Sequence, residues 1–410
     1  MKKVFFMMSL ALMAIFVISC TNDNLMEDVN DIRVESPSHR LTAEQAGQNA
    51  LDFVKKFKTE TRAGRTDLKI SEIKAIGNNN EVTRSNGSVC FDSLFYVVNF
   101  ADNQGFVIAA ADDRDETIFA YVEEGNYEEE TTNNGFDEFM DALCSLQTSR
   151  GIQRFDTQEE FMVIDPNEGD ANRFYLFEVM SPLLVTKWGQ WTYNTYCPQN
   201  TPTGCVPTAI SQICSFLNEP DTVRWSQNFE SGQSRIDWDR IVNECSSSSR
   251  GNVYSADLRN QIAHLMRFWG VVFSAKYNSN GTSVNGKTAI SKIRDYGINA
   301  TNLTNYNVEN VMNDLKKSNR IVYMHGRDEA DDSGHAWVVD GYIHEIRNGR
   351  GYIYIHCNWG WGGRNNGYFL GSVLNAGEGP VYNDDGQKTR SSQEPTYNYT
   401  NNLKYSTISK

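Results

Sequence analysis

The 410-residue sequence has no excess of basic residues: 38 Lys and Arg stand against 52 Asp and Glu, a formal net charge of −14. A phosphate backbone repels such a chain, and no stripe of Lys and Arg interleaved with aromatics reverses the balance locally. Nucleic acid is therefore not an expected partner. Long apolar runs are also scarce. The only one, Val4 to Ser19, has sixteen residues, short of the roughly 20 that a bilayer-spanning helix needs, which excludes a multispan membrane protein. No two of the eight Cys lie at CxxC spacing, so the commonest zinc signature is missing, and no metal or cofactor is expected. No internal repeat is present, and a hydrophobic content of 40% excludes disorder. These absences leave a soluble globular chain of about two domains.

The apolar run follows Met1-Lys2-Lys3 and ends at Val17-Ile18-Ser19-Cys20, the pattern of a secretory signal. A Cys directly after a small residue resembles the bacterial lipoprotein signal, in which Cys20 becomes the lipidated first residue of the mature chain. The alternative is an ordinary cleaved signal with a Cys nearby. Either way the chain is expected to be exported, to the bacterial periplasm or cell surface. The polar, acidic stretch that follows suits a flexible tether, which divides residues 1–20 from a tether at 21–40. Without Cys20 seven Cys remain, an odd number in a compartment that permits disulfides, so at least one thiol is free or reactive.

Residues 41–163 read as a small α+β unit. Thr42-Ala43-Glu44-Gln45 is a capping box before a helix whose Ala46, Ala50, Phe53, Val54 and Phe57 recur at helical spacing. Three short strands follow, Leu94 to Phe100, Phe106 to Ala111 and Thr117 to Val122, the first two separated by the turn signal Asp102 to Gly105. A second helix is expected at about Phe136 to Leu146. Residues 164–173, rich in Pro, Gly, Asn and charge, read as an exposed linker open to proteolysis. All eight Trp lie beyond it, in residues 174–410, with a last strand expected within Tyr397 to Ile408.

Within that second part, Val206, Ile210, Ile213 and Leu217 share one helix face that begins at Gly204-Cys205. Pro207 fits a first helical turn. A thiol at that point meets unpaired amide N–H groups and the positive end of the helix dipole, which favours thiolate. Such a nucleophile needs a base that can later act as an acid. Ser333-Gly334-His335-Ala336-Trp337 supplies a His at the head of a strand, 130 residues after Cys205. Asn348-Gly349 signals a hairpin returning through Asn358-Trp359-Gly360-Trp361, where Asn358 is a candidate to orient the imidazole and Trp359 and Trp361 to shield it. A strict two-residue turn would instead put His335 opposite Gly362. Gln190, with the Cys205 amide, is the candidate oxyanion donor. The run Asp328 to Asp332 lacks the alternating ligands of a calcium loop and reads as a solvated loop.

Together, Gly189-Gln190, Thr203-Gly204-Cys205-Val206, Gly334-His335-Ala336 and Asn358-Trp359-Gly360-Trp361-Gly362-Gly363 resemble the streptopain family of papain-like cysteine peptidases. Gly105 to Ala110 and the helix before it resemble that family's inhibitory propeptide. The resemblance implies a papain-like α+β catalytic domain with a helical part and an antiparallel β part, preceded by an α+β propeptide. It also implies Cys205 as nucleophile, His335 as general acid/base and Gln190 as oxyanion donor. Two departures stand out: Pro207 where a small residue is usual, and Val206 where papain's signature has Trp. The expected function is an endopeptidase made as a zymogen, acting on proteins or peptides, with its own propeptide as intramolecular inhibitor and membrane contact through the lipid anchor alone. The competing readings are an amine acyltransferase using the same dyad and a binding or inhibitor module that keeps the fold without turnover.

Overall fold

The computed structural model describes residues 39–62, 68–77, 82–84, 87–89, 93–129, 133–157, 175–278, 281–327, 334–347, 350–374 and 403–410. Cys20, the signal, all but the end of the tether, the 164–173 linker and the run at 328–332 lie outside them.

Helix α1 (Ala43–Glu60) starts as its capping box requires: the Thr42 hydroxyl accepts from the Gln45 amide at 3.2 Å, and the Gln45 side chain accepts from the Thr42 amide at 2.8 Å. Its buried side is the expected one, Ala46, Ala50, Phe53, Val54 and Phe57. That face lies on an antiparallel meander, β1 (Ile70–Ile76), β2 (Phe95–Phe100), β3 (Phe106–Ala110) and β4 (Ile118–Val122). The turn between β2 and β3 places Asp102 and Asn103 at φ of 59° and 55°, a conformation these two residue types tolerate. Strand β1 had no clear sequence signal: its apolar residues Ile70, Ile73 and Ile76 are spaced by three rather than two. Helix α2 (Asn134–Thr157) starts close to the expected point and runs well past Leu146.

In the second part, α3 (Cys205–Leu217), α4 (Trp238–Ser247) and α5 (Ala256–Val272) build a helical side, and α6 (Gly286–Ile293) and α7 (Val308–Leu315) follow. Apart from two short hairpins, Thr222–Gln227 with Glu230–Arg235 and Lys276–Asn278 with Gly281–Ser283, the main strands of this part are β5 (Leu176–Met180), β6 (Arg320–Arg327), β7 (Gly334–Arg347), β8 (Arg350–Asn358), β9 (Gly367–Leu370) and β10 (Lys404–Ser409). They join the meander in one twelve-stranded sheet of order β1-β2-β3-β4-β9-β8-β7-β6-β10, with β5 on β7 and the short strands Asn299–Ala300 and Thr304–Asn305 on β10. The seam is β4 against β9, Tyr121 opposite Tyr368 and Ala120 opposite Phe369. The two expected domains thus share a sheet, and residues 39–410 form one compact unit.

Two hydrophobic cores result. One unites α1, α2 and the meander with β7 to β9: the Phe53 ring lies 5.4 Å from Tyr354, Phe57 5.2 Å from Tyr368, and Phe139 4.9 Å from Phe369. The other, around Trp188, Ile210, Ile213, Trp238, Ile241 and Trp269, packs α3, α4 and α5 against the opposite side of the sheet's last strands.

Candidate active site

Cys205 is the first residue of α3, after Gly204 as N-cap, and Pro207 sits in the first turn without breaking the helix. The apolar face Val206, Ile210, Ile213 and Leu217 is buried as expected. The run into the helix is fastened to the Gln190 segment: both the amide and the hydroxyl of Thr203 donate to the Gln190 carbonyl, at 2.9 and 3.1 Å. That segment also bridges to the glycine-rich loop through Gly189 and Trp361. Gln190 itself is half-buried.

His335 opens β7 and is 3% exposed. Its Nε2 lies 2.9 Å from the carbonyl oxygen of Trp359. A carbonyl can only accept, so Nε2 carries the proton and Nδ1 is left with its lone pair. The Trp337 ring stacks at 5.8 Å and the Trp361 ring tilts at 6.5 Å. The backbone N–H of the next residue in the strand, Ala336, acts on the Cys205 sulfur, which brings the start of α3 against the start of β7.

The electrostatics depart from the sequence expectation. Burial pushes the Cys205 thiol up, and the amides of Ala336, Val206 and Cys205 itself only partly oppose it. Desolvation here outweighs the helix dipole, so the thiolate expected at the helix start is not favoured in this state. Burial also lowers His335, to about 4, against the opposing pull of the Trp359 carbonyl and with the nearby His325 adding to the lowering. The pair is held as neutral thiol and neutral imidazole.

Asn358 does not orient the imidazole. Its Nδ2 donates to the Thr186 carbonyl at 2.8 Å, and its Oδ1 accepts from Gln212 at 3.2 Å and from the Gly360 amide at 3.4 Å. The register explains why. Arg347 pairs with Arg350, but a bulge at Asp340 shifts the ladder, which ends with Val338 opposite Asn358. Continued, that register would bring Trp361, not Gly362 or Asn358, level with His335. Trp359 reaches His335 through its backbone, while its fully buried indole donates to the Asn365 carbonyl at 3.0 Å and packs 5.1 Å from Trp337.

The first half also reaches the site. A Cβ on Gly135, the second residue of α2, would stand 2.9 Å from both His335 Cδ2 and Trp359 Cζ3, so only glycine permits this approach. Asn133, 1% exposed, fixes the contact: its Oδ1 accepts from the Phe136 amide at 3.2 Å and its Nδ2 donates to the Arg364 carbonyl at 2.9 Å.

Residues 188–369 match the model of the peptidase C10 family. This region belongs to the peptidase C10 family. Residues 38–145 match the Spi protease inhibitor family. The chain is 24% identical over 367 residues to streptopain of Streptococcus pyogenes, covering 81% of this chain and 85% of streptopain. It is 25% identical over 386 residues to the thiol protease/hemagglutinin PrtT of Porphyromonas gingivalis, covering 85% of this chain but spanning only 41% of PrtT. Among solved structures, a prointerpain A fragment of Prevotella intermedia aligns with a TM-score of 0.52 at 22% identity, covering 80% of this chain and 98% of the fragment. That likeness shows the fold, papain-like with an amino-terminal propeptide region. The chain thus carries a C10-family cysteine protease region at 188–369 and a Spi-type inhibitor region at 38–145.

Sequence reasoning on this C10 protease missed Gly135, Asn133 and Gln212. The first two lie where a turn meets a helix and have no chemical signature of their own. Gln212 had one, an amide within an otherwise apolar helix. Among the described residues, all six cysteines are free, and no group of three or more His, Cys, Asp or Glu could hold a metal ion.

Proposed function

We propose that the chain is an exported endopeptidase zymogen in which Cys205 and His335 form the reacting pair. His335 Nδ1 takes the thiol proton as the sulfur attacks a peptide carbonyl. The Gln190 side-chain amide and the Cys205 N–H hold the oxyanion. His335 then protonates the leaving amine, and water activated by the same nitrogen resolves the thioester. The observation that carries this reading is the Trp359 carbonyl on His335 Nε2, which fixes the tautomer a general base needs, one residue before the Ala336 amide that meets the sulfur. Latency follows from Gly135 lying against His335 and Trp359, from Asn133 holding the loop after β8 at Arg364, and from the neutral pair beneath them. Maturation is assigned to cleavage within 164–173, dividing a propeptide at 41–163 from a catalytic part at 174–410. Cys20 anchors the chain to the membrane by lipid.

The test is the full chain and its Cys205→Ala variant on a denatured protein substrate. Wild type should acquire hydrolysis on incubation and yield cleaved peptides with free termini, while the variant stays inert. Hydrolysis by Cys205→Ala would remove the dyad, and amine-linked products would turn the reading toward acyl transfer.

A further inference from the structure

Gln212 lies two helical turns after Cys205 on α3, and its side chain is fully buried. A buried amide costs free energy unless its polar atoms are paired, and both of these are. Oε1 accepts from the Trp188 amide at 2.8 Å, and Nε2 donates to Asn358 Oδ1 at 3.2 Å. Asn358 passes the connection on. Its Nδ2 donates to the Thr186 carbonyl at 2.8 Å, and its Oδ1 also accepts from the Gly360 amide at 3.4 Å. That last bond is an Asx-type turn. It bends the chain out of the β8 ladder immediately after Val338 and Asn358 pair, and Gly360 continues the bend at a φ of 77°, where a side chain would be strained. Within this bend the Trp359 carbonyl meets His335 Nε2 at 2.9 Å.

The three stretches joined at Gln212 each carry one group of the proposed chemistry. Trp188 stands two residues before Gln190, Gln212 shares a helix with Cys205, and Asn358 precedes the residue that holds the imidazole. Backbone contacts tie the stretches in pairs, Thr203 to the Gln190 carbonyl and Gly189 to Trp361. Gln212, on the third stretch, hydrogen-bonds both of the others at one point.

We propose that Gln212 is a positioning residue that registers oxyanion donor, nucleophile and base against one another, acting through the Trp188 amide and through Asn358. The proposal rests on the Cys205–His335 dyad proposed above. Gln212 touches no reacting atom, so its removal should cost turnover rather than substrate binding.

Gln212→Met keeps the volume and removes the hydrogen bond from Trp188 and both of those with Asn358, whose Nδ2 also donates to Gln212 Oε1 at 3.3 Å. In the activated full chain, kcat on a peptide substrate should fall about 100-fold, the scale of an ångström-level misplacement, with KM held within about twofold. The acid limb of the pH profile for Cys205 alkylation by iodoacetamide should move to higher pH, because a less firmly held imidazole stabilises the thiolate less. A folded variant with wild-type kcat, or with an unmoved alkylation profile, overturns the proposal. Should Gln212→Met fail to fold, Gln212→Glu carries the test. Its neutral carboxylic acid can accept from Trp188 and donate to Asn358 Oδ1, whereas the carboxylate cannot donate and keeps only the bond it accepts from Asn358 Nδ2, so its activity relative to wild type should rise on acidification. A flat ratio overturns the proposal. Cys205→Ala is assayed in parallel: residual hydrolysis there sinks the dyad itself, whereas an inert Cys205→Ala beside an unimpaired Gln212→Met sinks only the role of Gln212.

Discussion

The two cores differ in who builds them. The helical core, which seats the helix carrying Cys205, draws all its buried residues from Leu184 onward. The sheet core is shared: Phe53, Phe57, Phe136 and Phe139 of the propeptide region pack with Tyr354, Tyr368 and Phe369 of the C10 region. His335 stands at the margin of that shared side, under Gly135. The contrast teaches where latency acts. The scaffold of Cys205 is complete without the propeptide region, whereas the surroundings of His335 are completed by it. Removing residues 39–157 would leave the helical core intact and strip aromatic contacts from the sheet.

The largest expected effect tests whether the shared side holds the base at all. His335→Gln in the activated protein should lower kcat/KM by about 10³- to 10⁴-fold, the scale of losing one member of a catalytic unit, while thermal unfolding changes little. Retained activity would take the base off the sheet. Next comes the difference between the cores. In a Cys205→Ala background, Phe57→Ala should destabilise the full chain by about 3–5 kcal/mol and Ile241→Ala by about 2–5 kcal/mol, read as shifts in the denaturant midpoint. After cleavage and removal of the propeptide, the Ile241 penalty should persist and the Phe57 penalty vanish. Equal persistence would break the distinction between the cores. Smaller is Gly135→Leu, an overpacking substitution worth about 1–3 kcal/mol directed at the His335 contact. The lag before hydrolysis should shorten, and an unchanged lag would mean that this contact does not hold the zymogen latent.

Much of this contrast was legible in the sequence, and its limits are physical. The capping box at Thr42, the buried face of α1 and the helix beginning at Cys205 follow from local rules: side-chain caps, a period of 3.6 residues and the first-turn tolerance for proline. The shared sheet was not legible, because the pairing of Tyr121 with Tyr368 joins residues far apart in the chain, and period-two patterning does not say which strand lies alongside. The bulge at Asp340 escaped for a related reason. One unpaired residue moves every later partner by one, which sets Trp361 instead of Gly362 level with His335; Asn358 falls short of the imidazole in either register, and the group that meets it is the Trp359 carbonyl, a backbone group no side-chain motif announces. The sequence shows the helix dipole at Cys205 but not the desolvation that pushes its thiol up in the folded chain.

The smallest effect concerns charge across the seam. His356 Nδ1 lies 2.6 Å from Asp340 Oδ1, and its Nε2 lies 3.9 Å from Glu123 at the end of the propeptide meander. Tyr368 packs edge-on at 5.0 Å, and Lys187 pairs with the neighbouring Glu124 at 2.8 Å. Burial raises the Glu123 carboxyl, with His356 and Lys187 pulling back. Burial lowers His356, but Asp340 and Glu123 outweigh it and leave the imidazole above its ordinary value. Asp340 stays beside His356 when the seam opens, whereas Glu123 loses its burial, so Glu123 is the group that binds its proton more tightly with the seam closed than when free. Its contribution to closure is fully present on the acid side and is lost as pH rises through the raised value. In the Cys205→Ala chain, digestion of the propeptide by an added protease should therefore quicken as pH rises above the ordinary carboxylate range. Glu123→Gln, which mimics the protonated acid, should flatten that profile. A seam that tightens with rising pH would mean that carboxylates ionising elsewhere, and not this cluster, govern how firmly the propeptide is held.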